Sequence, residues 1–258
     1  MTHKTIGFIG GGRVAHILLG GWQNAGGLPP QIIVSDSNPD VLKKLQERFP
    51  SIITTTNNCT PAEQSLVFLA LHPPVIGNLL AEIGTALKPN TLFVSLAPKL
   101  TISKLTTGLG GFDKLARMIP NAPSIIGDGY NPVTFSTSLT EAEIAELLSV
   151  FQSWGKCPEV AEEKLEAYAI LTAMGPTYFW FQYQELLRLG LSFGLNQPEI
   201  EKGLAEMLSG AVKTFYESSL APEAVMDLIP VHPIAEDENA IRAIYHNRLE
   251  TLYQKLKG

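Results

Sequence analysis

Short apolar runs alternate with amphipathic segments along the N-terminal half of the chain. Pro39–Phe49 has helical spacing, follows Asn38 as a plausible N-cap and begins with a proline, which the first helical position favours. The apolar runs are rich in β-branched and aromatic residues, as buried parallel strands are; they lie at Ile6–Ile9, Ile32–Val34, Leu66–Leu71, Thr91–Leu96 and Leu115–Ile119. This alternation predicts an α/β fold with a Rossmann-type, doubly wound parallel sheet.

The pattern becomes helical throughout after about Pro158. Its helical segments are separated by proline-containing breaks at Gly175-Pro176, Asn196–Pro198, Ala221-Pro222 and Ile229-Pro230. We therefore predict a dinucleotide-binding domain over residues 1–158, followed by an all-α domain over residues 159–258; the family resemblance described below implies that the second domain binds substrate and dimerises.

The first apolar run ends in a glycine-rich turn. Gly10, Gly12 and Ala15 fit the pattern G-x-G-x-x-A, in which the first glycine permits a tight turn and the second lets a pyrophosphate approach the backbone. Arg13 and Val14 lie in the same loop, at the start of a helix whose N-terminus would face the phosphates. The pattern predicts a binding site for NAD or NADP.

The end of the second strand bears on the choice between these two cofactors. Asp36 lies about 20 residues beyond the loop, where an acidic residue meets the adenosine ribose, and its charge favours NAD. Ser35, Ser37 and Asn38 offer hydrogen bonds to the 2′-phosphate of NADP instead. The residues leave the preference open.

Ligands of doubly wound sheets bind at the carboxyl ends of the strands. Five residues stand at such ends, and we expect them to contact the cofactor: Leu71, His72, Pro73, Ala97 and Asn121. For His72 the alternative is a structural hydrogen bond.

Composition narrows the class of protein. A net charge of −6 argues against nucleic acid as the main partner, since phosphate binding needs a basic face. Two cysteines are too few for a disulfide framework or a four-cysteine metal site. No apolar run approaches the ~20 residues of a membrane helix, and the N-terminus lacks the apolar stretch of a signal peptide. We expect a cytoplasmic protein without membrane contact.

Four segments together resemble the pyrroline-5-carboxylate reductase family. They are the opening GFIGGGRVA, the strand end LALHPP, the segment RMIPNAPSIIGDG and the later EVAEEKLEAYAILTAMGPTYFW. The third is similar to the family's R-x-M-P-N-x-P motif and the fourth to its S-G-S-G-P-A-Y motif. The resemblance implies the two-domain fold, a nicotinamide cofactor and hydride transfer to a small cyclic imine. The reaction for which the family is named is the reduction of pyrroline-5-carboxylate to proline.

The resemblance also implies roles for four residues. It places Asn121 beside the nicotinamide and the substrate. The alternative role of Asn121 is to stabilise an Asx-type turn. It places Thr172 at the position of a family serine whose hydroxyl donates to the substrate nitrogen; its alternative is a bond to its own helix. Gly175 and Pro176 would begin a helix close to the nicotinamide and the substrate.

This chain departs from the family pattern in three places. Thr172–Met174 replaces the family's Ser-Gly-Ser, and His72 replaces a lysine. Val231–Asp237 stands where the family's S-P-G-G-T-T loop holds the substrate carboxylate. There His232 and Glu236 are candidate substrate-binding residues. With Asp237 they could bind a cationic amine or a metal or supply a general acid, and the alternative is a solvated turn. We expect no metal cofactor.

The helical domain is also the expected interface. Tyr178–Phe181 places four aromatic residues in succession, so they point all round a helix and must be buried against a partner or in a core. The family resemblance implies a homodimer or a higher homo-oligomer. A second hypothesis for the chain is a non-catalytic dinucleotide sensor with an eroded substrate site.

Overall fold

The computed structural model describes residues 5–71, 76–77 and 79–257. Its strands are β1 (Ile6–Ile9), β2 (Ile32–Ser35), β3 (Ile53–Thr55), β4 (Leu66–Leu69), β5 (Leu92–Ser95), β6 (Leu115–Met118), β7 (Gly129–Tyr130), β8 (Val133–Phe135) and β9 (Gly155–Lys156).

Helices connect these strands and form the C-terminal part of the chain. They are α1 (Arg13–Asn24), α2 (Pro39–Arg48), α3 (Cys59–Ala62), α4 (Leu79–Gly84), α5 (Ile102–Gly108), α6 (Glu141–Phe151), α7 (Leu165–Tyr168), α8 (Pro176–Ser192), α9 (Gln197–Glu217), α10 (Pro222–Met226) and α11 (Ala235–Lys257). Within the described residues, short 3₁₀ segments lie at Ala122–Ile126, Gln152–Trp154 and Glu162–Lys164, and α7 continues into a π-helix over Ala169–Ala173.

The main sheet has seven strands in the order β3-β2-β1-β4-β5-β6-β8. All neighbours are parallel except β6 and β8. The strand order reverses between β1 and β4, which is the position where such sheets bind their ligands. The predicted doubly wound sheet is confirmed. The pattern did not predict β3 and β8, which are only three residues each; β3 also exposes Ile53, so it lacks the buried apolar run of a central strand.

Apolar side chains pack on both faces of this sheet, because successive residues of a strand point to opposite faces. Phe8 and Phe68 stack with ring centroids 4.8 Å apart in one cluster, which also contains Trp22 and Trp154. The Trp154 indole N–H donates to the Leu18 carbonyl at 2.8 Å, so its burial leaves no donor unpaired. The core thus holds the carboxyl ends of the central strands in fixed register.

Local capping signals are reproduced by the structure. Asn38 caps α2 by accepting from the Asp40 backbone N–H, and Pro39 is the first residue of that helix. Asn196 and Glu199 form a reciprocal capping box at the start of α9. These short-range contacts follow directly from the sequence.

Contacts divide the chain into two compact units, residues 1–174 with 253–258, and residues 175–252. The first unit contains the sheet and the π-helix. The second consists of helices α8 to α10 and most of α11. The domain boundary at residue 158 stays a prediction.

The second unit buries few of its apolar side chains within the single chain. Among residues 175–252, all of which the structure describes, Ile200 is the only large apolar residue in the buried core. It fills the space beside Gly190, so α8 and α9 approach closely there. Large exposed side chains lie along the whole unit and include Phe179, Trp180 and Phe181. Within the described residues, we find no helix with the length and apolar character to span a membrane.

Candidate functional site

The glycine loop adopts a backbone that glycine alone accommodates well. Gly10 has φ +106°, a region that L side chains avoid, and its N–H donates to the Ser35 carbonyl at 2.7 Å. A Cβ at this position would lie 2.6 Å from the Ala70 carbonyl oxygen. The turn therefore follows directly from the close approach of β1 to the end of β4.

Gly12 leaves open space where the turn meets α1. A Cβ built there has no heavy atom within 4 Å, and the residue caps the helix without any side-chain hydrogen bond. The first turn of α1 contains no acidic residue, so its N–H groups and positive end are suited to an anion. Such a cradle fits the pyrophosphate of a dinucleotide.

The Asp36 carboxylate links the glycine loop to the start of α2. One oxygen accepts from the Gly11 N–H at 2.9 Å, and the other accepts from the Asn38 N–H at 2.9 Å. Asp36 lies directly after β2, beside β1 in the sheet. The acidic side chain is therefore held at the edge where the ribose of a dinucleotide is expected.

The remaining residues predicted near this loop differ in accessibility. Arg13 and Ser37 are exposed, while Val14 is partly buried and packs against the core. Ser35 is fully buried, and its hydroxyl donates to Asn58 at 2.8 Å, so its side chain supports the strand end. Arg13 and Ser37 remain predicted cofactor contacts.

Two other strand ends border the loop. The Leu71 side chain packs close to Gly10, since a Cβ on that glycine would meet Leu71 Cδ2 at 2.9 Å. Ala97 follows β5 and is buried, and its N–H donates to the Ser95 hydroxyl at 3.4 Å. His72 and Pro73, also predicted to contact the cofactor, lie outside the described residues.

Asn121, just beyond β6, is buried and joins three segments. Its side-chain oxygen accepts from the Tyr130 N–H at 3.1 Å, and its amide donates to the Thr172 carbonyl at 3.4 Å. Its own N–H donates to the Asn131 side chain at 3.0 Å. An amide group has two N–H donors, and among the described residues the Asn121 amide uses one of them, in its contact with Thr172. The other is available to a ligand. The structure thus brings together the two residues predicted to be catalytic.

Thr172 lies in the π-helix Ala169–Ala173, a rare conformation that is frequent at functional sites. Its hydroxyl donates to the Tyr168 carbonyl at 2.8 Å. In this arrangement the oxygen can accept a hydrogen bond, but it donates to a substrate only after turning away from Tyr168. Its catalytic role stays a prediction.

A buried ion-pair network near the same edge was missed by the sequence analysis as a site feature. Arg117 on β6 has a side chain only 1% exposed and contacts Glu162 at 2.9 Å and Glu166 at 2.7 Å. The same carboxylate oxygens accept the backbone N–H groups of Ile102 and Lys99, at 2.6 and 3.1 Å. The network thereby fixes the segment after β5 against the segment that leads into the π-helix.

One signal in the sequence was available for this network. An arginine inside the apolar run LARMI must find carboxylate partners, because a buried charge is costly without them. Glu162 and Glu166 are four residues apart in a helical segment, so both can face one cation.

A pair of tyrosines lies beside the predicted catalytic residues. The rings of Tyr130 and Tyr168 are 6.0 Å apart. Burial, with the neighbouring Tyr168 hydroxyl, raises the pKa of Tyr130. The backbones of both residues bond to the site, Tyr130 to Asn121 and Tyr168 to Thr172.

The predicted substrate residues all belong to the second unit. Gly175 caps α8 and is buried, and Pro176 is the first residue of that helix. His232 is exposed, with its ring nitrogen 2.7 Å from the Ile229 carbonyl. Glu236 is exposed in the first turn of α11. These four roles stay predictions.

The start of α11 has a strongly acidic character. Glu236, Asp237 and Glu238 occupy its first turn, where carboxylates are stabilised by the helix dipole. The described residues contain no group of three or more histidine, cysteine or acidic side chains that could hold a metal ion.

Comparisons with known proteins agree with this geometry. A family model described as "NADP oxidoreductase coenzyme F420-dependent" matches residues 5–99, which contain the glycine loop and Asp36. The pyrroline-5-carboxylate reductase of Escherichia coli is 27% identical over 227 residues, covering 88% of this chain and 84% of the relative. Human pyrroline-5-carboxylate reductase 2 is 29% identical over 230 residues, covering 86% and 71%.

A solved structure shows the same fold over the whole chain. The pyrroline carboxylate reductase of Plasmodium falciparum, crystallised with NADP, has a TM-score of 0.83 and 20% sequence identity, covering 100% of this chain and 98% of that one. The predicted fold class, a Rossmann-type sheet followed by helices, is thereby confirmed.

Proposed function

Because the chain belongs to the pyrroline-5-carboxylate reductase family, we propose that it transfers a hydride from NADH or NADPH to the carbon of a small cyclic imine. The observation that carries this proposal is the conjunction of an intact dinucleotide cradle with Asn121 and Thr172 in direct contact. The substrate named for the relatives, pyrroline-5-carboxylate, is the first candidate, and its product is proline. No observation supports a non-catalytic sensor.

The residues of the first unit fit a nicotinamide dinucleotide. Gly10 and Gly12 shape the turn, the N-terminus of α1 would bind the pyrophosphate, and Asp36 would bind the ribose. Ala97 and Asn121 lie at the carboxyl ends of β5 and β6 and would contact the nicotinamide there. The cofactor supplies the hydride, while the protein supplies binding and orientation.

Asn121 and Thr172 orient the substrate at this edge of the sheet. The remaining N–H of Asn121 is a hydrogen-bond donor for a substrate acceptor, and the Thr172 hydroxyl donates to the imine nitrogen once it turns from Tyr168. The imine nitrogen receives one proton, which comes from solvent through the Thr172 hydroxyl, and the imine carbon receives the hydride, so the amine product gains both. The protonated imine is the better hydride acceptor, so a donor at that position lowers the barrier.

One observation favours a second candidate substrate. The acidic first turn of α11 overlaps the segment Val231–Asp237, which the family resemblance assigns to the carboxylate-binding loop. Carboxylates there would repel the anionic group of pyrroline-5-carboxylate and attract a cationic one. The second candidate is therefore a cyclic imine that presents a cationic group in place of the carboxylate.

The second unit supports a homodimer. The second unit has little hydrophobic core of its own, since Ile200 is its one large buried apolar residue. Its exposed apolar side chains, such as Trp180 and Phe181, are therefore expected to be buried against another protein surface. We expect the second unit to dimerise with its copy, as the family resemblance implies, in the cytoplasm. Sedimentation equilibrium of wild type and Trp180→Glu measures this, and a monomeric wild type would contradict it.

The test of function is turnover by matched variants. Purified protein should oxidise NADH or NADPH with pyrroline-5-carboxylate, Thr172→Ser should retain most of the kcat, and Thr172→Ala should lose about tenfold or more. Equal kcat values for Thr172→Ala and wild type would show that the Thr172 hydroxyl takes no part in catalysis. Absence of turnover with any cyclic imine, despite bound cofactor, would reject the function.

The substrate test exchanges the acidic segment. The fourfold variant Ile234→Gly, Ala235→Gly, Glu236→Thr and Asp237→Thr should lower the KM for pyrroline-5-carboxylate if repulsion limits it. A higher KM in that variant would instead mean that these residues help to bind the carboxylated substrate.

A further inference from the structure

Asp36 holds a fixed negative charge where the adenosine ribose of the cofactor meets the protein. The residue directly follows β2, and in doubly wound folds an acidic residue at this position contacts the ribose 2′-hydroxyl. Resting on the function proposed above, we propose that Asp36 makes this enzyme selective for NADH over NADPH.

The first support is the geometry of the carboxylate. Its two oxygens accept from the N–H groups of Gly11 and Asn38, both at 2.9 Å, so the group is held in one place between the glycine loop and α2. A carboxylate has about four acceptor positions, and these contacts use two of them. The others are available to the 2′- and 3′-hydroxyl groups of the NADH ribose, which are donors.

The second support is the charge of the neighbouring turn. The 2′-phosphate of NADPH is an acceptor and an anion, so it cannot satisfy a carboxylate and is repelled by it. Ser37–Pro39 contains no cation, and Asp40 adds a second carboxylate in the first turn of α2. A protein that binds the 2′-phosphate usually presents an arginine near this position.

One cation lies on the other side of the loop. Arg13 is exposed at the first position of α1 and makes no ion pair with any residue that the structure describes. The start of α1 is where the pyrophosphate is expected, and that group is common to both cofactors. Arg13 therefore raises the affinity for both cofactors and does not reverse the preference set by Asp36.

The test is direct binding of both cofactors to the purified full chain, without substrate. Titrations at low salt, followed by nicotinamide fluorescence, should give a Kd for NADPH at least about tenfold above that for NADH. This ratio corresponds to a difference of about 1.4 kcal/mol in binding free energy. The ratio should fall between about 20 mM and about 500 mM NaCl, since salt screens a partly exposed charge.

Two variants locate the effect. Asp36→Asn removes the charge and keeps one acceptor oxygen for the two N–H groups of Gly11 and Asn38. It should lower the Kd ratio by about tenfold, chiefly through tighter NADPH binding. Asp40→Asn removes the same charge from a neighbouring position and should leave the ratio within about twofold of the wild type. Circular dichroism confirms that each variant is folded.

Distinct outcomes separate this inference from the proposed function. Wild-type protein that binds NADPH as tightly as NADH would overturn the selectivity, as would an unchanged ratio in folded Asp36→Asn. NADH binding without turnover would reject the reductase activity and leave the selectivity in place. Absence of binding by either cofactor would overturn both.

Discussion

Arg117 offers a quantitative test of how this site is held together. Its guanidinium is 1% exposed and pairs with two carboxylates, which in turn accept backbone N–H groups after β5. Arg117→Met removes the cation, keeps most of the volume and leaves Glu162 and Glu166 without a counter-charge. Breaking a buried pair in this way costs about 3–5 kcal/mol, and we expect about 3 because Glu162 remains 31% exposed.

That loss should be visible as a change in melting temperature. For a chain of this size, 1 kcal/mol corresponds to ~2–4 °C, so Arg117→Met should melt about 6–12 °C below wild type. The matched control adds Glu162→Gln and Glu166→Gln, which keep the acceptors for the backbone N–H groups and remove the unpaired charges. This triple variant should recover most of the loss, since replacing a buried ion pair by neutral groups is often nearly neutral.

Differential scanning calorimetry of the three proteins distinguishes the explanations. If Arg117→Met melts at the same temperature as wild type, the ion pairs contribute little to stability. A triple variant that is less stable than Arg117→Met would contradict the claim that unpaired carboxylates cause the loss.

Further predictions concern the glycine loop, a strained lysine and one surface ion pair. Gly10→Ala should destabilise the fold, because φ is +106° and its Cβ would meet the Ala70 carbonyl. Gly12→Ala should have the melting temperature of the wild type but bind the cofactor about tenfold or more weakly, since its Cβ would meet no protein atom and would occupy the space expected for the pyrophosphate. The reasoning would be contradicted if Gly10→Ala and Gly12→Ala changed the melting temperature equally and the cofactor Kd equally. Lys99→Gly should stabilise the protein by about 0.5–1 kcal/mol in urea titrations, because Lys99 has φ +70°; lower stability would contradict a strained backbone. Hydrogen bonding to Lys114 lowers the pKa of Glu143 to about 2, from 4.5. Its stabilisation is therefore complete above about pH 4.5 and lost as the pH falls towards 2, so the melting difference between wild type and Glu143→Gln should shrink over that interval.

The parts of the fold that the sequence predicted are those with local causes. β1 has the predicted bounds because a short buried run ends at a glycine turn, and α2 begins at Pro39 because Asn38 caps it. The glycine loop was predictable for the same reason, since its residues are adjacent in the chain. β3 was missed because it is short and partly exposed.

The parts that were not predicted depend on contacts between distant residues. Arg117 lies 45 and 49 residues from its two carboxylate partners, and Asn121 lies 51 residues from Thr172. Spacing along the chain does not specify such pairs. The motifs placed Asn121 and Thr172 in one site only through family resemblance, and the structure adds the hydrogen bond that joins them.

Hydride transfer from a nicotinamide cofactor to a cyclic imine carbon is the proposed reaction of this protein. The most direct measurement supplies NADH with deuterium at both C4 positions of the dihydronicotinamide, together with pyrroline-5-carboxylate, and determines the mass of the product. We expect proline heavier by about one mass unit, with one NADH oxidised per proline formed. Oxidation of the cofactor without label in the product would contradict it, as would the absence of reaction with this and every other cyclic imine.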